Sequence, residues 1–230
     1  MTFLTIGHRG VMGVEPENTL RSFLHAERSG MDVIALDVRL SKDGVLVVLH
    51  DPDVDRTTDG SGAVADLTLE ELRALDAGLG ERVPVLDEVL AAVRVPLQVT
   101  VHDRAASGAL AHLVLRRDLT ARVEVASRDD ALLAGAARLV PGVRTSLHAD
   151  PVDGDTGALV ARAVAAGAAT LALDIRLISL ETVEEAHAAG LRVTGRSVDT
   201  LDLLRLARAL GLDGAATDFP EIRSTGRFTA

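Results

Sequence analysis

The sequence contains no cysteine, tryptophan or tyrosine, and its aromatic content is only 2%. Without cysteine, disulfides, thiolate zinc sites, iron–sulfur clusters and cysteine nucleophiles are excluded. Charged residues interrupt every apolar stretch before it reaches the ~18 residues that a membrane span needs. Met1–Gly7 has no basic region and only a short apolar run, unlike a signal peptide. We therefore expect a cytoplasmic protein without a membrane span.

Basic residues are also fewer than acidic ones, since 24 Lys and Arg stand against 34 Asp and Glu, a net charge of −10. This balance argues against nucleic-acid binding, which needs a basic surface. It still allows a small anionic ligand in a local basic pocket. With 47% hydrophobic residues among 230, the chain can bury a large core. We expect a folded protein with a small-molecule partner, and nothing in the sequence indicates its oligomeric state.

Short apolar runs alternate with helical patterns along the chain. Predicted strands cover Phe3–Gly7, Val33–Val38, Val45–Leu49, Leu97–Val101, Arg122–Ala126, Val143–Leu147, Thr170–Asp174, Arg192–Gly195 and Gly214–Thr217. The turn before Val45–Leu49 is too short for a helix, so this strand forms a hairpin with its predecessor. The other eight strands alternate with helices, which favours a single (β/α)8 TIM barrel over residues 1–230. A doubly wound open sheet is the alternative fold.

One segment, residues 51–83, does not follow this alternation of strands and helices. It contains Pro52, Gly60 and Gly62 and a short helix that begins with the capping box Thr68-Leu69-Glu70-Glu71. We interpret it as a small insertion after the second barrel strand. The barrel is preferred to the open sheet because polar residues follow the strands all along the chain.

The carboxyl ends of barrel strands converge at one mouth, so polar residues there are the candidate site. They are His8, Arg9, Asp37, His102, Arg128, Arg196 and Asp218, with His50 and Asp51 after the hairpin. Two imidazoles facing one substrate can act as general base and general acid near neutral pH. An arginine beside them suits a phosphate because its planar fork pairs two oxygens. We predict His8 and His50 as catalytic residues and Arg9 as a phosphate ligand.

Several short motifs follow one another along the chain. They are His8-Arg9-Gly10, Pro16-Glu17-Asn18-Thr19, Leu36-Asp37-Val38, Leu49-His50-Asp51, Asp55-Arg56-Thr57-Thr58, Val83-Pro84-Val85-Leu86-Asp87-Glu88 and Thr217-Asp218-Phe219-Pro220. In this order they resemble the glycerophosphodiester phosphodiesterase family. The resemblance implies a TIM barrel with an insertion after the second strand. It also implies hydrolysis of a glycerophosphodiester to glycerol 3-phosphate and an alcohol. His8 and His50 would then be the acid/base pair and Arg9 a phosphate ligand, with Glu17, Asn18 and Asp51 in supporting roles.

The family's metal site is incomplete in this sequence. The resemblance implies Mg²⁺ or Ca²⁺ held by a Glu-x-Asp on the second strand and a Glu on the third. Here the corresponding residues are Ala35, Asp37 and Thr100, so one carboxylate of three remains. Such ions need several oxygen ligands. We expect no bound metal cofactor, with Asp37 as a doubtful residual ligand.

Three further departures add possible ligands for phosphate. His102 stands where the family has lysine, and Arg128 and Arg196 stand where it has aromatic residues. We predict that these three side chains bind the phosphate or the substrate, and that the arginines replace the cation. The alternative is that both arginines turn outward and pair with Asp129 or Asp199, a contact of little energetic value.

Two functions remain compatible with these residues. The first is a phosphodiesterase that depends weakly or not at all on metal. The second is a catalytically impaired relative that binds a phosphate ester. The retained pair of His8 and His50 favours the enzyme.

Overall fold

The computed structural model describes residues 2–149 and 155–224. Its strands are β1 Leu4–His8, β2 Val33–Leu40, β3 Leu46–Val48, β4 Leu97–Val101, β5 Val123–Ser127, β6 Arg144–His148, β7 Thr170–Asp174, β8 Arg192–Arg196 and β9 Gly214–Thr217. Eight strands pair in parallel in the order β1-β9-β8-β7-β6-β5-β4-β2, and β1 also pairs with β2. The sheet is therefore closed, which confirms the predicted (β/α)8 TIM barrel and rules out the open sheet. The ninth strand, β3, pairs antiparallel with β2 as the predicted hairpin.

The helices lie between successive strands. They are α1 Leu20–Arg28, α2 Leu69–Arg73, α3 Leu86–Ala92, α4 Arg104–Arg117, α5 Asp130–Leu139, α6 Thr156–Ala165, α7 Leu180–Ala188, α8 Leu201–Ala209 and α9 Glu221–Ser224, with 3₁₀ turns at Val64–Asp66 and Ile175–Leu177. The predicted capping box at Thr68 and Glu71 is present at the start of α2. In the described residues, no helix is both long and apolar enough to cross a bilayer.

The hydrophobic core lies mainly between the strands and the surrounding helices. One buried cluster joins the first half of the barrel to α1, α3 and α4, and a second joins the later strands to α6, α7 and α8. The insertion after β3 has its own small cluster, which includes Val54, Val64 and Leu72. Inside the barrel, a small cluster of Ile6, Ala35 and Ala216 leaves room for a cavity.

A tight turn after β1 brings the chain against α1. Gly10 has φ +87°, and a Cβ at this position would lie 2.2 Å from Ser22 Oγ. Only glycine adopts this backbone at so close an approach without strain. Ser22 Oγ in turn accepts a hydrogen bond of 2.8 Å from the Val11 amide. The turn fixes Arg9, whose own φ of 47° is left-handed.

Candidate active site

A cavity of about 420 Å³ opens at the carboxyl ends of the barrel strands. All eight barrel strands, or the residues that directly follow them, contribute to its wall. The predicted residues that line it are His8, Arg9, Asp37, His50, His102, Arg128 and Arg196. Small side chains at Ala35, Ala172 and Ala216 leave the space between them. The structure thus brings together the residues that the strand ends predicted.

Each of the two predicted catalytic histidines has an aspartate behind it. His8 Nδ1 lies 2.8 Å from Asp218 Oδ1, and His50 Nδ1 lies 2.6 Å from Asp51 Oδ1. An ionised carboxylate only accepts, so we assign the proton of each neutral ring to Nδ1. Nε2 of each ring is then free to take a proton. The role of Asp51 as a supporting residue fits this geometry, while the pairing of Asp218 with His8 was not predicted.

Arg9 is held between two carboxylates. Its Nη1 donates to Glu17 Oε1 at 2.7 Å, and its Nε lies 3.2 Å from Asp37 Oδ2. Asn18 Nδ2 donates to the same Asp37 oxygen at 3.2 Å. Both Arg9 and Asn18 have positive φ, of 47° and 58°. Such strained residues persist where surrounding contacts hold them, and they cluster at functional sites.

An unpredicted residue of the insertion connects the two sides of this network. Arg56 donates to both Glu17 oxygens at 2.8 Å and to Asp51 Oδ2 at 2.5 Å. These hydrogen bonds, first to Glu17 and then to Asp51, raise the pKa of Arg56 above its usual range. For Asp51, the hydrogen bond from Arg56 and that from His50 lower the pKa against the effect of burial. Arg56 therefore keeps the carboxylate behind His50 ionised.

Asp37 is a buried anion surrounded by donors. His102 Nε2 lies 3.1 Å from Asp37 Oδ1, while Arg9 and Asn18 contact the other oxygen. Burial by itself would raise the pKa of Asp37. The hydrogen bond with His102 and the positive charge of Arg9 outweigh burial and hold the pKa well below its usual range. Asp37 is consequently charged throughout the physiological pH range.

The residues do not fit a Mg²⁺ or Ca²⁺ ion of the kind the family resemblance implies. Ala35 and Thr100 both line the cavity near Asp37, and Thr100 lies opposite Asp37 in the ladder between β2 and β4. Neither residue offers a carboxylate, and both Asp37 oxygens already accept from donors. In the part of the chain that the structure describes, Asp37, His50 and His102 do form one group whose ligand atoms lie within 4.8 Å of one another.

Arg128 and Arg196 both line the cavity. Arg196 Nη2 donates to the Ala149 carbonyl at 2.7 Å, which holds it against the end of β6. The carboxylates considered as alternative partners have other roles. Asp129 accepts from the Ala131 amide at the start of α5, and Asp199 accepts from the Asp218 amide. Both arginines border the cavity, and their role as ligands of a phosphate stays a prediction.

His148 at the end of β6 is a pocket residue that the sequence left undecided. Its Nε2 is shielded from solvent and has no hydrogen-bond partner among residues 2–149 and 155–224. Burial, together with the positive charges of Arg196 and Arg128, lowers the pKa of His148 to about 3. His148 therefore stays neutral at physiological pH. Only its location at a strand end could have suggested a place in the pocket.

Acid should unfold the protein more readily because of His148. In the unfolded chain this residue takes a proton below about pH 6.5, whereas in the folded protein it does so only near pH 3. The contribution of neutral His148 to the free energy of unfolding is therefore complete above pH 6.5. It is lost as the pH falls towards 3, by up to about 1.4 kcal/mol per pH unit. Between pH 7 and pH 4, we expect the stability of His148→Asn to fall by about 3 kcal/mol less than that of the wild type. Urea unfolding followed by far-UV circular dichroism measures the free energy of unfolding at each pH. An equal dependence on pH in the wild type and in His148→Asn would contradict the prediction.

The fold and the site define a TIM-barrel protein with its polar centre at the carboxyl ends of the strands. The family model described as the glycerophosphoryl diester phosphodiesterase family matches residues 8–222. The chain therefore belongs to the glycerophosphoryl diester phosphodiesterase family. This confirms the family resemblance drawn from the motifs.

Individual relatives agree with this assignment. A glycerophosphodiester phosphodiesterase of Caldanaerobacter subterraneus subsp. tengcongensis is 53% identical over 96 residues, which cover 39% of this chain and 40% of that protein. The chain thus aligns with only about two fifths of that relative's length. The uncharacterized protein YqiK of Bacillus subtilis is 30% identical over 93% of this chain and 94% of its own. An Oleispira antarctica phosphodiesterase, solved in complex with the product sn-glycerol-3-phosphate, has a TM-score of 0.88 and 27% identity over 96% of this chain and 95% of its own.

Proposed function

We propose that this protein hydrolyses a glycerophosphodiester to a glycerol phosphate and an alcohol, with His8 and His50 as the acid/base pair. The observation that carries the proposal is the presence of two histidine–aspartate pairs in the wall of one cavity. Membership of the family supports the substrate class, as does the Oleispira antarctica relative with its bound product.

The chemistry assigns one task to each histidine. One Nε2 takes a proton from the attacking water as its oxygen bonds to phosphorus. The other imidazole, protonated beforehand, gives its proton to the alcohol oxygen as the P–O bond breaks. Asp218 and Asp51 orient the two rings and stabilise the protonated form of each. The two histidines end with their protonation states exchanged, and solvent restores them.

Positive side chains supply the charge stabilisation. Arg9, Arg128 and Arg196 line the cavity together with His102, and guanidinium groups bind the oxygens of a phosphate in pairs. Such donors stabilise the charge that develops on phosphate in the transition state. We propose that they replace the family's divalent cation, so that the reaction depends weakly or not at all on metal.

A second candidate function is binding of a phosphate ester without turnover. The observation that favours it is the loss of carboxylates at Ala35 and Thr100, since a metal ion is worth several kcal/mol in such reactions. The arginines could retain the affinity for phosphate while the rate is lost.

The deciding experiment is turnover of a panel of glycerophosphodiesters and a chromogenic phosphodiester by chelator-treated protein, with and without Mg²⁺ or Ca²⁺. We expect turnover that survives chelation. Turnover only with added metal would contradict the arginine-for-cation mechanism. Absence of turnover together with measurable binding of glycerol 3-phosphate would favour the second function.

A further inference from the structure

Three side chains at the mouth of the barrel form a mixed nitrogen and oxygen cluster. His102 Nε2 lies 3.1 Å from Asp37 Oδ1, and the ring centroids of His102 and His50 lie 5.2 Å apart, edge to face. One ligand atom from each of the three residues lies within 4.8 Å of the other two. We propose that Asp37, His50 and His102 bind a transition metal ion of the zinc type, such as Zn²⁺ or Co²⁺, in preference to Mg²⁺ or Ca²⁺.

The kinds of ligand atom determine this preference. Mg²⁺ and Ca²⁺ take oxygen ligands almost exclusively and rely on several carboxylates. Imidazole nitrogens instead suit zinc, cobalt and copper, and two histidines with one carboxylate form a familiar catalytic or regulatory set for such ions. Ala35 and Thr100 offer no carboxylate beside Asp37, while His102 offers an imidazole nitrogen. The set of donor atoms therefore suits softer ions.

The surrounding contacts prepare these residues for an ion. His50 donates through Nδ1 to Asp51, which leaves the Nε2 lone pair as its ligand. A metal-binding histidine almost always has such a carboxylate or carbonyl behind it. Asp37 is fixed as an anion by Arg9 and Asn18, whose contacts use its Oδ2 and leave Oδ1 on the side of His102.

The distances require only a small adjustment. Ligand atoms on a tetrahedral zinc ion lie about 3.3 Å apart. Asp37 Oδ1 and His102 Nε2 already have this spacing, at 3.1 Å, and the proton of their hydrogen bond is released when the ion takes its place. The ligand atom of His50, which lies within 4.8 Å of the other two, has to approach by at most about 1.5 Å. The remaining coordination positions of the ion would face the cavity.

Nearby cations do not exclude the ion. Arg9 contacts Asp37, and its charge is matched by Glu17 as well as Asp37. Arg128 and Arg196 line the same cavity, and their charges lower the affinity for the ion. The negative charge of Asp51, which accepts the hydrogen bond from His50, is balanced by Arg56. The ion would compete with the proposed proton transfer, because both use Nε2 of His50. The site is therefore expected to be inhibitory, although binding of the ion does not depend on the proposed function.

The test is a Co²⁺ titration of metal-free protein followed by visible absorption, with Zn²⁺ as a competitor. We expect one equivalent of Co²⁺ to give the intense bands of low-coordinate cobalt, and Zn²⁺ but not excess Mg²⁺ to abolish them. In His102→Gln and, separately, His50→Gln, the affinity should fall at least about tenfold. The matched control is His25→Gln. His25 lies on α1 outside the cavity, where it pairs with Glu15, so this variant should bind Co²⁺ with the affinity of the wild type.

Several results would overturn the proposal. They are absence of the cobalt bands, displacement of Co²⁺ by equimolar Mg²⁺ or Ca²⁺, or unchanged affinity in both cluster variants with native circular dichroism. A turnover assay with Zn²⁺ adds a second readout, in which inhibition is expected and activation would contradict competition for His50. Since the cobalt titration needs no turnover, failure of the proposed hydrolysis and failure of this site are distinguishable.

Discussion

Replacement of His8 or His50 by alanine should lower kcat for a glycerophosphodiester by about 10²- to 10⁴-fold, the usual contribution of a positioned acid or base. The reason is that each ring faces the same cavity with its Nδ1 engaged by an aspartate, so each is assigned one of the two proton transfers. The Km should change far less, because the arginines that we propose as phosphate ligands remain. Steady-state kinetics of both variants measure the two effects separately.

The control for this experiment is a histidine outside the cavity. His25→Ala removes an imidazole that also pairs with a carboxylate, Glu15, and should keep its full rate. If the two histidines act as a unit, His8→Ala His50→Ala should lose little more than the worse single variant. Wild-type rates in either single variant, with native circular dichroism, would exclude the acid/base assignment.

Glutamates in place of Ala35 and Thr100 should turn the cavity into a site for Mg²⁺ or Ca²⁺. In Ala35→Glu Thr100→Glu, three carboxylates would face one cavity where Asp37 now stands with its donors. Without an ion, uncompensated buried charges should cost about 3–5 kcal/mol of stability. An added ion at a hundredfold excess over its dissociation constant should recover about 2.7 kcal/mol. Urea unfolding with and without Mg²⁺ measures both changes.

A matched variant separates charge from size. Ala35→Gln Thr100→Gln introduces side chains of the same shape without charge, and its stability should not respond to Mg²⁺ or Ca²⁺. The wild type should not respond either. Equal stabilisation of wild type and the glutamate variant by Mg²⁺ would mean that the present residues already form a hard-cation site, contrary to our interpretation of Ala35 and Thr100.

The sequence predicted the barrel well because its strands are short apolar runs bounded by turn residues. One helix start differs from the sequence pattern. The pattern predicts a helix over Gly108–Arg117, whereas α4 begins at Arg104 because Asp103 caps it by accepting from the Ala106 amide. Glycine is a poor interior helix residue, so its presence at 108 concealed the true start.

The residues of the site that lie at strand ends could be predicted from the sequence. The contacts that join distant segments of the chain could not. His8, Arg9 and Asp37 follow from the rule that strand ends converge. The roles of Asp218 and Arg56 depend on ring closure and on how the insertion folds back over the mouth, which no local pattern encodes. His148 belongs to the first kind, yet its neutral state results from burial among arginines.

The bond between His8 and Asp218 spans 210 residues and joins the end of the first barrel strand to the residue after the last. It can form only when β9 has inserted beside β1. During translation, a chain whose residues 214–218 are still inside the ribosome therefore lacks the partner of one imidazole, however well its earlier strands have folded. The proposed acid/base pair is therefore complete only after residues 214–218 have emerged and β9 has closed the barrel, so turnover by this pair would report barrel closure.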